Sequence, residues 1–347
     1  MKKVFSGCLV LLTMSACSPT DSVNPEQQLL QEVSENFVEK YYSELNTRTQ
    51  TMAGYDFNCS EGLTSIDRTE LQTQWRNAMV AWQGAKITRF GPLTEQRLDW
   101  EFQFWPDKKN LAASKIKPLL KDSTTKESLQ KASVVTHGLS AMEYLLFDTT
   151  HIKEDRRVNH CQLIKTVSEN IADNAAKLEK QWLLFKPEFT GNGQAPDTWN
   201  ADEYIGSVID SVLVTLEEIA NRKINAPAGL EQGKINPYFL ESWRSQHSLE
   251  NIQANLQAIQ NLLLDSGLKP YLADKGLESL MAPGITALEK ALEVSNNLNK
   301  PLFDSLDSQT EQLKELSQQI NLVKADIRDK WVPALKLPIG FNDNDGD

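Results

Sequence analysis

The sequence lacks the short motifs that mark many enzyme active sites: it has no HExxH zinc-binding pair, no glycine-flanked serine elbow, no Walker phosphate loop and no CxxC pair. Beyond its first residues it also lacks an apolar run long enough to cross a membrane, and its mean hydropathy is −0.43. The 36 Lys and Arg residues are outnumbered by 47 Asp and Glu residues, which gives a net charge of −11. This deficit argues against nucleic acid or an anionic membrane face as a partner.

The first residues have the pattern of an export signal that ends at a lipid-attachment cysteine. Two lysines precede an apolar run over 4–14, and small residues lead directly to Cys17. The run is too short to cross a bilayer as a permanent helix. We therefore predict a lipoprotein signal peptide at 1–16, lipidation of Cys17 and a short tether over 17–25. An ordinary secretory signal with an incidental cysteine is the alternative.

Lipidation would place the mature protein in the cell envelope, with the membrane as a partner through the lipid on Cys17. The residue after the cysteine is Ser18 rather than an aspartate. In Gram-negative bacteria this order favours the periplasmic face of the outer membrane. The sequence thus predicts a tethered protein that works outside the cytoplasm.

Cysteine is scarce, with four residues in the chain. Cys8 would be lost with the signal and Cys17 would carry the lipid, so Cys59 and Cys161 remain. An exported pair of cysteines usually forms a disulfide. The bond would close a loop of about 100 residues and stabilise by roughly 4 to 5 kcal/mol in the chain-entropy model. Two separately buried thiols are the alternative.

Apolar residues recur at helical spacing along most of the chain, and no run alternates long enough to indicate a sheet. The densest cluster of helix breakers lies at 186–200. These patterns predict an all-α protein made of two packed helical bundles with roughly four helices each. The N-terminal bundle is expected over 26–190, and the C-terminal bundle over 191–347 with an acidic tail.

The most informative segment is THGLSAMEYLLFD at 136–148. On a helix Ser140 and Glu143 share one face, and His137 lies one turn before Ser140. Glu143 stands in an apolar run, so we expect it to be partly buried and to need a partner. It is either a ligand in a helical pocket or a structural glutamate bonded to an arginine or a helix end.

This segment resembles the imelysin-like family of bacterial exported proteins, whose hallmark helix reads Gly-x-His-x-x-Glu, then an aromatic residue and two leucines. Gly138, Glu143 and the Tyr-Leu-Leu at 144–146 match, whereas Ser140 stands at the histidine position. The resemblance continues through 75–83, 89–92, 104–108 with Asn110, 157–163, 241–256 and, at the C-terminus, 340–342 with 345–347. It therefore covers nearly the whole mature chain.

The resemblance implies two packed helical bundles, a motif near their interface and a link to iron uptake, with iron-uptake proteins as partners. The family's founding name also implies metallopeptidase activity. Ser140 removes the best metal ligand of the motif, and a zinc hydrolase normally needs about three protein ligands. We therefore expect a non-catalytic binding protein, with iron or another divalent metal as the cofactor class that Glu143 would ligate.

The expected pocket combines motif residues with residues from the other family-like stretches: Gly138, Ser140, Glu143, His137, Trp105 and Arg244. The competing hypothesis is a metal-dependent peptidase that uses Glu143 and His137 with His247 or His160. A purely structural envelope protein is a third interpretation. A second histidine or carboxylate within coordination distance of Glu143 would separate the first two.

Overall fold

The computed structural model describes residues 24–148, 150, 152–193, 198–231 and 233–338. The predicted signal peptide, Cys17 and the acidic tail lie outside the described residues. Within these ranges the fold is all-α and contains no strand, which confirms the predicted class. No helix in the same ranges combines the length and the apolar character needed to cross a bilayer.

In the first half of the chain, 24–193, α2 (Glu39–Ala53) and α8 (Leu139–Phe147) each pack against the two long helices α3 (Ser65–Ala85) and α9 (Arg157–Phe189). Side chains define where the helices begin: Asn24 accepts hydrogen bonds from the first turn of α1, and Thr64 accepts one from the first turn of α3. A π-helical turn over 34–38 joins α1 to α2. The helices are α1 (Pro25–Val33), α2 (Glu39–Ala53), α3 (Ser65–Ala85), α4 (Pro92–Glu95), α5 (Leu98–Phe102), α6 (Leu111–Leu119), α7 (Lys126–Gln130), α8 (Leu139–Phe147) and α9 (Arg157–Phe189).

The second half, 198–338, is organised around α14, which packs against α12 and α16. Two π-helical segments, Glu218–Asn225 and Ile327–Trp331, continue α10 and α16 without a break. The helices are α10 (Ala201–Glu217), α11 (Ala226–Ala228), α12 (Ser248–Asp265), α13 (Leu268–Asp274), α14 (Met281–Asn297), α15 (Leu302–Ser305), α16 (Thr310–Asp326) and α17 (Val332–Leu335).

The apolar stripes that predict the helices are the residues that the fold buries. In α3, for example, Leu71, Trp75 and Trp82 are each at most 1% exposed. One apolar core runs through both halves, because α3 packs against α12 and α1 packs against α10. The two halves therefore meet along a continuous interface.

A disulfide joins the loop before α3 to α9. Cys59 and Cys161 form this bond, with their Cα atoms 5.5 Å apart. It is the pairing that the cysteine count favours, and Cys161 is fully buried. The bond fixes the start of α3 beside α9, next to the motif helix α8.

Candidate functional site

A cavity of about 290 Å³ lies between the two halves, beside α8. We call it the inter-bundle pocket. The first half contributes residues from 103–112 and from α8, and the second half contributes the π-helical segment, the start of α11 and the loop 238–244. Its wall combines aromatic side chains with charged ones, chiefly Phe104, Trp105, Tyr238, Phe239 and Trp243 with Asp107, Lys108, Glu143, Arg222 and Arg244.

The first-half side of the pocket is held by the start of α6. Both carboxylate oxygens of Asp107 accept hydrogen bonds from backbone N–H groups, from Leu111 at 2.7 Å and from Ala112 at 3.0 Å. Asn110 takes a left-handed backbone conformation, with φ 52°, that asparagine tolerates. Its Oδ1 accepts a hydrogen bond of 2.6 Å from Nη2 of Arg244. The helix start and the opposite half thus fix this wall.

On the second-half side, the loop 241–247 places a serine over the motif glutamate. Ser242 and Gln246 have φ angles of 53° and 56°, a strained region for residues other than glycine. The N–H and Oγ of Ser245 both donate to Oε1 of Glu143 at 2.9 Å. Arg76 donates to the carbonyl of Ser245 at 3.0 Å. The strained loop therefore serves to bring Ser245 onto Glu143.

Glu143 is 5% exposed and lines the pocket. Burial raises the pKa of its carboxyl group above the usual range, against the hydrogen bonds from Ser245 and the charge of Arg244. The guanidinium of Arg244 lies 4.2 Å from the ring centre of Trp243 and 5.3 Å from that of Tyr144. Glu143 is therefore a hydrogen-bonded polar centre in an aromatic and cationic wall.

Ser140, at the family's histidine position, also lines the pocket. Its Oγ donates to the backbone carbonyl of Phe104 at 3.1 Å. Together with Trp105, Glu143 and Arg244, it makes four of the predicted pocket residues that the structure brings together. The hydroxyl links α8 to the 103–110 segment.

His137 and Gly138, which the sequence places in the pocket, do not line it. His137 is buried, with Nδ1 2.8 Å from a carboxylate oxygen of Glu101 and Nε2 2.7 Å from the carbonyl of Leu129. Both nitrogens donate, so neither offers a lone pair to a metal. Gly138 lies against backbone: a Cβ there would come 2.3 Å from the carbonyl oxygen of Phe102. Both residues therefore pack the segment at the start of α8 against its neighbours and do not face the pocket.

The two histidines of the peptidase hypothesis are also buried outside the lining of the pocket. Nε2 of His160 donates to the carbonyl of Leu145 at 2.9 Å. Burial and the charge of Arg76 lower the pKa of His247 to about 4. Across the described ranges, no group of three or more His, Cys, Asp or Glu side chains is placed to hold a metal.

A buried polar cluster that the sequence patterns do not predict lies behind the pocket. Nζ of Lys223 donates to Glu241 and Asn255, both at 2.7 Å, and to Gln83 at 2.9 Å. Burial lowers the pKa of Lys223 to about 8. Gln103, which lines the pocket, donates to Glu241 at 2.9 Å. The sequence signal for this cluster is Lys223, a charged residue four positions after Ile219 in a stripe of otherwise apolar residues at helical spacing.

Comparison with known proteins places this architecture in one family. The family model described as Imelysin matches residues 35–328. The chain belongs to the imelysin family. Membership agrees with the all-helical fold and with the match of the segment at 138–146 to the family's motif.

Individual relatives of this imelysin-family chain are distant. It is 21% identical over 265 residues to iron-regulated protein A of Synechococcus elongatus, covering 74% of this chain and 69% of that protein. An imelysin-like protein from Psychrobacter arcticum has a similar structure, with a TM-score of 0.78 at 19% identity, covering 91% and 97% of the two chains. A structure from Parabacteroides distasonis is also similar, with a TM-score of 0.72 at 17% identity, covering 93% of this chain and 96% of that one. These structural similarities establish the fold.

Proposed function

We propose that this chain is a non-catalytic binding protein of the cell envelope that serves iron acquisition, tethered through a lipid on Cys17. The inter-bundle pocket is its binding site. The observation that carries the proposal is the state of Glu143, whose Oε1 already accepts two hydrogen bonds from Ser245. A carboxylate that is fixed in this way shapes a pocket, whereas a hydrolytic metal site needs open ligands.

The chemistry of the wall suits a small organic ligand. Trp105, Tyr238 and Trp243 offer aromatic surface, and Lys108 and Arg244 offer cationic groups. Ligand pockets commonly combine mainly apolar walls with a few placed polar groups. A ligand with a carbon framework and an acidic group fits this combination.

The link to iron and to the envelope comes from other observations. The relative in Synechococcus elongatus is named an iron-regulated protein. The Cys59–Cys161 disulfide is typical of exported proteins, and the N-terminal pattern leads to Cys17. Iron-uptake proteins of the envelope are the partners that this role requires.

The competing function, a metal-dependent peptidase, needs about three protein ligands and one open position. In the inter-bundle pocket the two carboxylates are Glu143, bonded to Ser245, and Asp107, bonded to the start of α6. His137 donates from both ring nitrogens. No contact in the described residues favours the peptidase over binding.

Growth under iron limitation tests the proposed function. We expect deletion of the gene to slow growth when iron is scarce, and the wild-type chain to restore it. Arg244→Gln, which removes a cation from the pocket wall, should restore growth poorly. Arg328→Gln is the matched control, because Arg328 is exposed and pairs with Asp329.

A hydrolysis assay on the purified wild type and on purified Glu143→Gln completes the test. The binding function predicts no peptide cleavage with or without added zinc. Cleavage that a chelator abolishes and that Glu143→Gln lacks would establish the peptidase in its place. Equal growth rescue by Arg244→Gln and the wild type would refute a role for the pocket in iron acquisition.

A further inference from the structure

A second cavity of about 410 Å³ borders the inter-bundle pocket. The two cavities share Gln103, Trp105, Pro106 and Arg222 in their walls. The second cavity adds aromatic surface from Trp82 and Trp100. Its charged groups come from the segment after α3, from α5, from α10 and from the π-helical segment 218–225. This shared wall makes the two cavities neighbours. Arg222 is the charged residue among the four.

The π-helical segment Glu218–Asn225 explains how Arg222 reaches this position. A π-helix bonds residue i to i+5, so residues four and five positions apart lie on one face. Glu218, Arg222 and Lys223 therefore all face the first half. Glu218 lines the second cavity, Arg222 lines both cavities and Lys223 enters the buried cluster.

Acidic side chains line both cavities beside the cationic ones, with Asp99, Asp210 and Glu218 in the second cavity and Asp107 and Glu143 in the inter-bundle pocket. Lys86, 2.7 Å away, and Arg89 both pair with Glu218 and hold the pKa of its carboxyl well below the usual range against burial. Lys223 pairs with Glu241 at 2.7 Å. Arg222 is exposed, and no ion pair joins it to another of the described residues. A guanidinium at the junction of two cavities, without a carboxylate partner among the described residues, can bind an anion through charge-assisted hydrogen bonds.

Each cavity holds one further cationic donor that protein groups do not satisfy. In the inter-bundle pocket, the exposed Lys108 lies 5.8 Å from the ring centre of Phe239 and forms no ion pair with a described residue, so its ammonium group is open to a ligand. In the second cavity, the buried Nε of Arg89 finds no hydrogen-bond acceptor in the described part of the chain. A buried donor without an acceptor is unfavourable until a ligand supplies one.

We infer that the two cavities form one bipartite site for an organic polycarboxylate, with Arg222 binding a carboxylate where they meet. Lys108 and Arg89 then accommodate further acidic groups on either side, and the aromatic walls contact the carbon framework. A guanidinium matches a carboxylate with two parallel hydrogen bonds, which a lysine cannot do. The inference rests on the proposed binding function and adds the ligand class and the second subsite.

Calorimetric titration of the full mature chain with citrate, alone and as its ferric complex, tests the inference. We expect at least one form to bind, and isovalerate, which has one carboxylate, and inorganic phosphate to bind at least about tenfold more weakly. Arg222→Gln should weaken citrate binding by about tenfold or more, because it removes a charged hydrogen-bond donor. The citrate affinity of Arg222→Lys should lie between those of the wild type and Arg222→Gln. Val214→Trp, which fills the second cavity from α10, should also weaken binding.

Arg328→Gln is the matched control, since Arg328 also lies in a π-helical segment but outside both cavities. It should bind citrate as the wild type does. Absence of citrate binding in both forms, or equal affinity for isovalerate, would overturn the inference. Binding that responds to Arg244→Gln but not to Arg222→Gln or Val214→Trp would overturn the bipartite site and leave the proposed function standing. Thermal unfolding of each variant identifies any that fail to fold, and the remaining variants then decide.

Discussion

At the scale of single residues, His137 shows how a polar side chain beside a motif becomes structural. It is 5% exposed and bonded to Glu101 on one side and to Leu129 on the other. Burial lowers its pKa, but the hydrogen bond and charge of Glu101 outweigh burial and raise it above the usual value. The imidazole ring therefore braces the segment before α8 against α5.

Stability should depend on pH through this pair. The folded-state pKa of His137 is raised, so its contribution is fully present below the unfolded value of about 6.5 and is lost as pH rises through the folded value. We expect Glu101→Gln to reduce the free energy of unfolding most near pH 5.5 and progressively less toward pH 9, as urea titrations would measure. A destabilisation that is the same across this range would show that the pair is not charged.

Gly138 and Ser140 show what a motif can and cannot convey. The three-residue spacing of Ser140 and Glu143 correctly predicts a shared helix face, since both line the pocket. The role of Gly138 is different, because α5 backbone occupies the space of its missing Cβ. Sequence spacing fixes the face of a helix, whereas the approach of a remote backbone segment depends on the tertiary fold.

At the scale of elements, helix positions follow from the apolar stripes, but the two segments that complete the site do not. The loop 241–247 depends on left-handed conformations at Ser242 and Gln246. Glycine usually marks such positions in a sequence, and neither residue is a glycine. The segment 218–225 changes the helical register from α to π, so Arg222 and Lys223 share a face that the ordinary helical period does not predict. Local geometry of this kind depends on packing against the other half.

The contact between the loop 241–247 and α8 should be measurable through one hydroxyl. Ser245→Ala removes one of the two donors to Glu143 and keeps the backbone one. We expect it to lower the free energy of unfolding by about 1 to 3 kcal/mol, because Glu143 stays buried with one acceptor less satisfied.

Ser114→Ala is the control for this change, since the Ser114 hydroxyl is exposed and bonds within its own helix. It should change stability by less than about 0.5 kcal/mol. Both values come from denaturant titrations. Equal stability of Ser245→Ala and the wild type would mean that the loop does not need this hydrogen bond.

At the scale of the whole molecule, the pocket exists because the two halves are packed against each other. Arg76 on α3 donates to Ser245, and Arg244 donates to Asn110, so each half holds a wall that belongs to the other. The core is continuous across the same interface. The sequence predicts the all-α class from periodicity, whereas these cross-contacts join residues more than 130 positions apart and depend on the packed fold.

The membrane tether is a prediction for the whole protein, because it sets where the pocket works. The apolar run and small residues before Cys17 predict that the mature chain carries a diacylglyceryl group on this thiol. Each buried methylene contributes roughly 0.8 kcal/mol, so several chains together hold a protein durably on a bilayer. Labelled palmitate should therefore enter the wild-type protein in its bacterial host, and the protein should fractionate with membranes.

Cys17→Ser should take up no label and should remain unprocessed, because the modified cysteine is what the lipoprotein peptidase recognises. Cys8→Ser is the matched control, since it removes the other cysteine near the N-terminus and leaves Cys17 in place. It should be labelled and processed like the wild type. Equal labelling of Cys17→Ser and the wild type would contradict lipidation at Cys17, and the pocket would then have to work without this anchor.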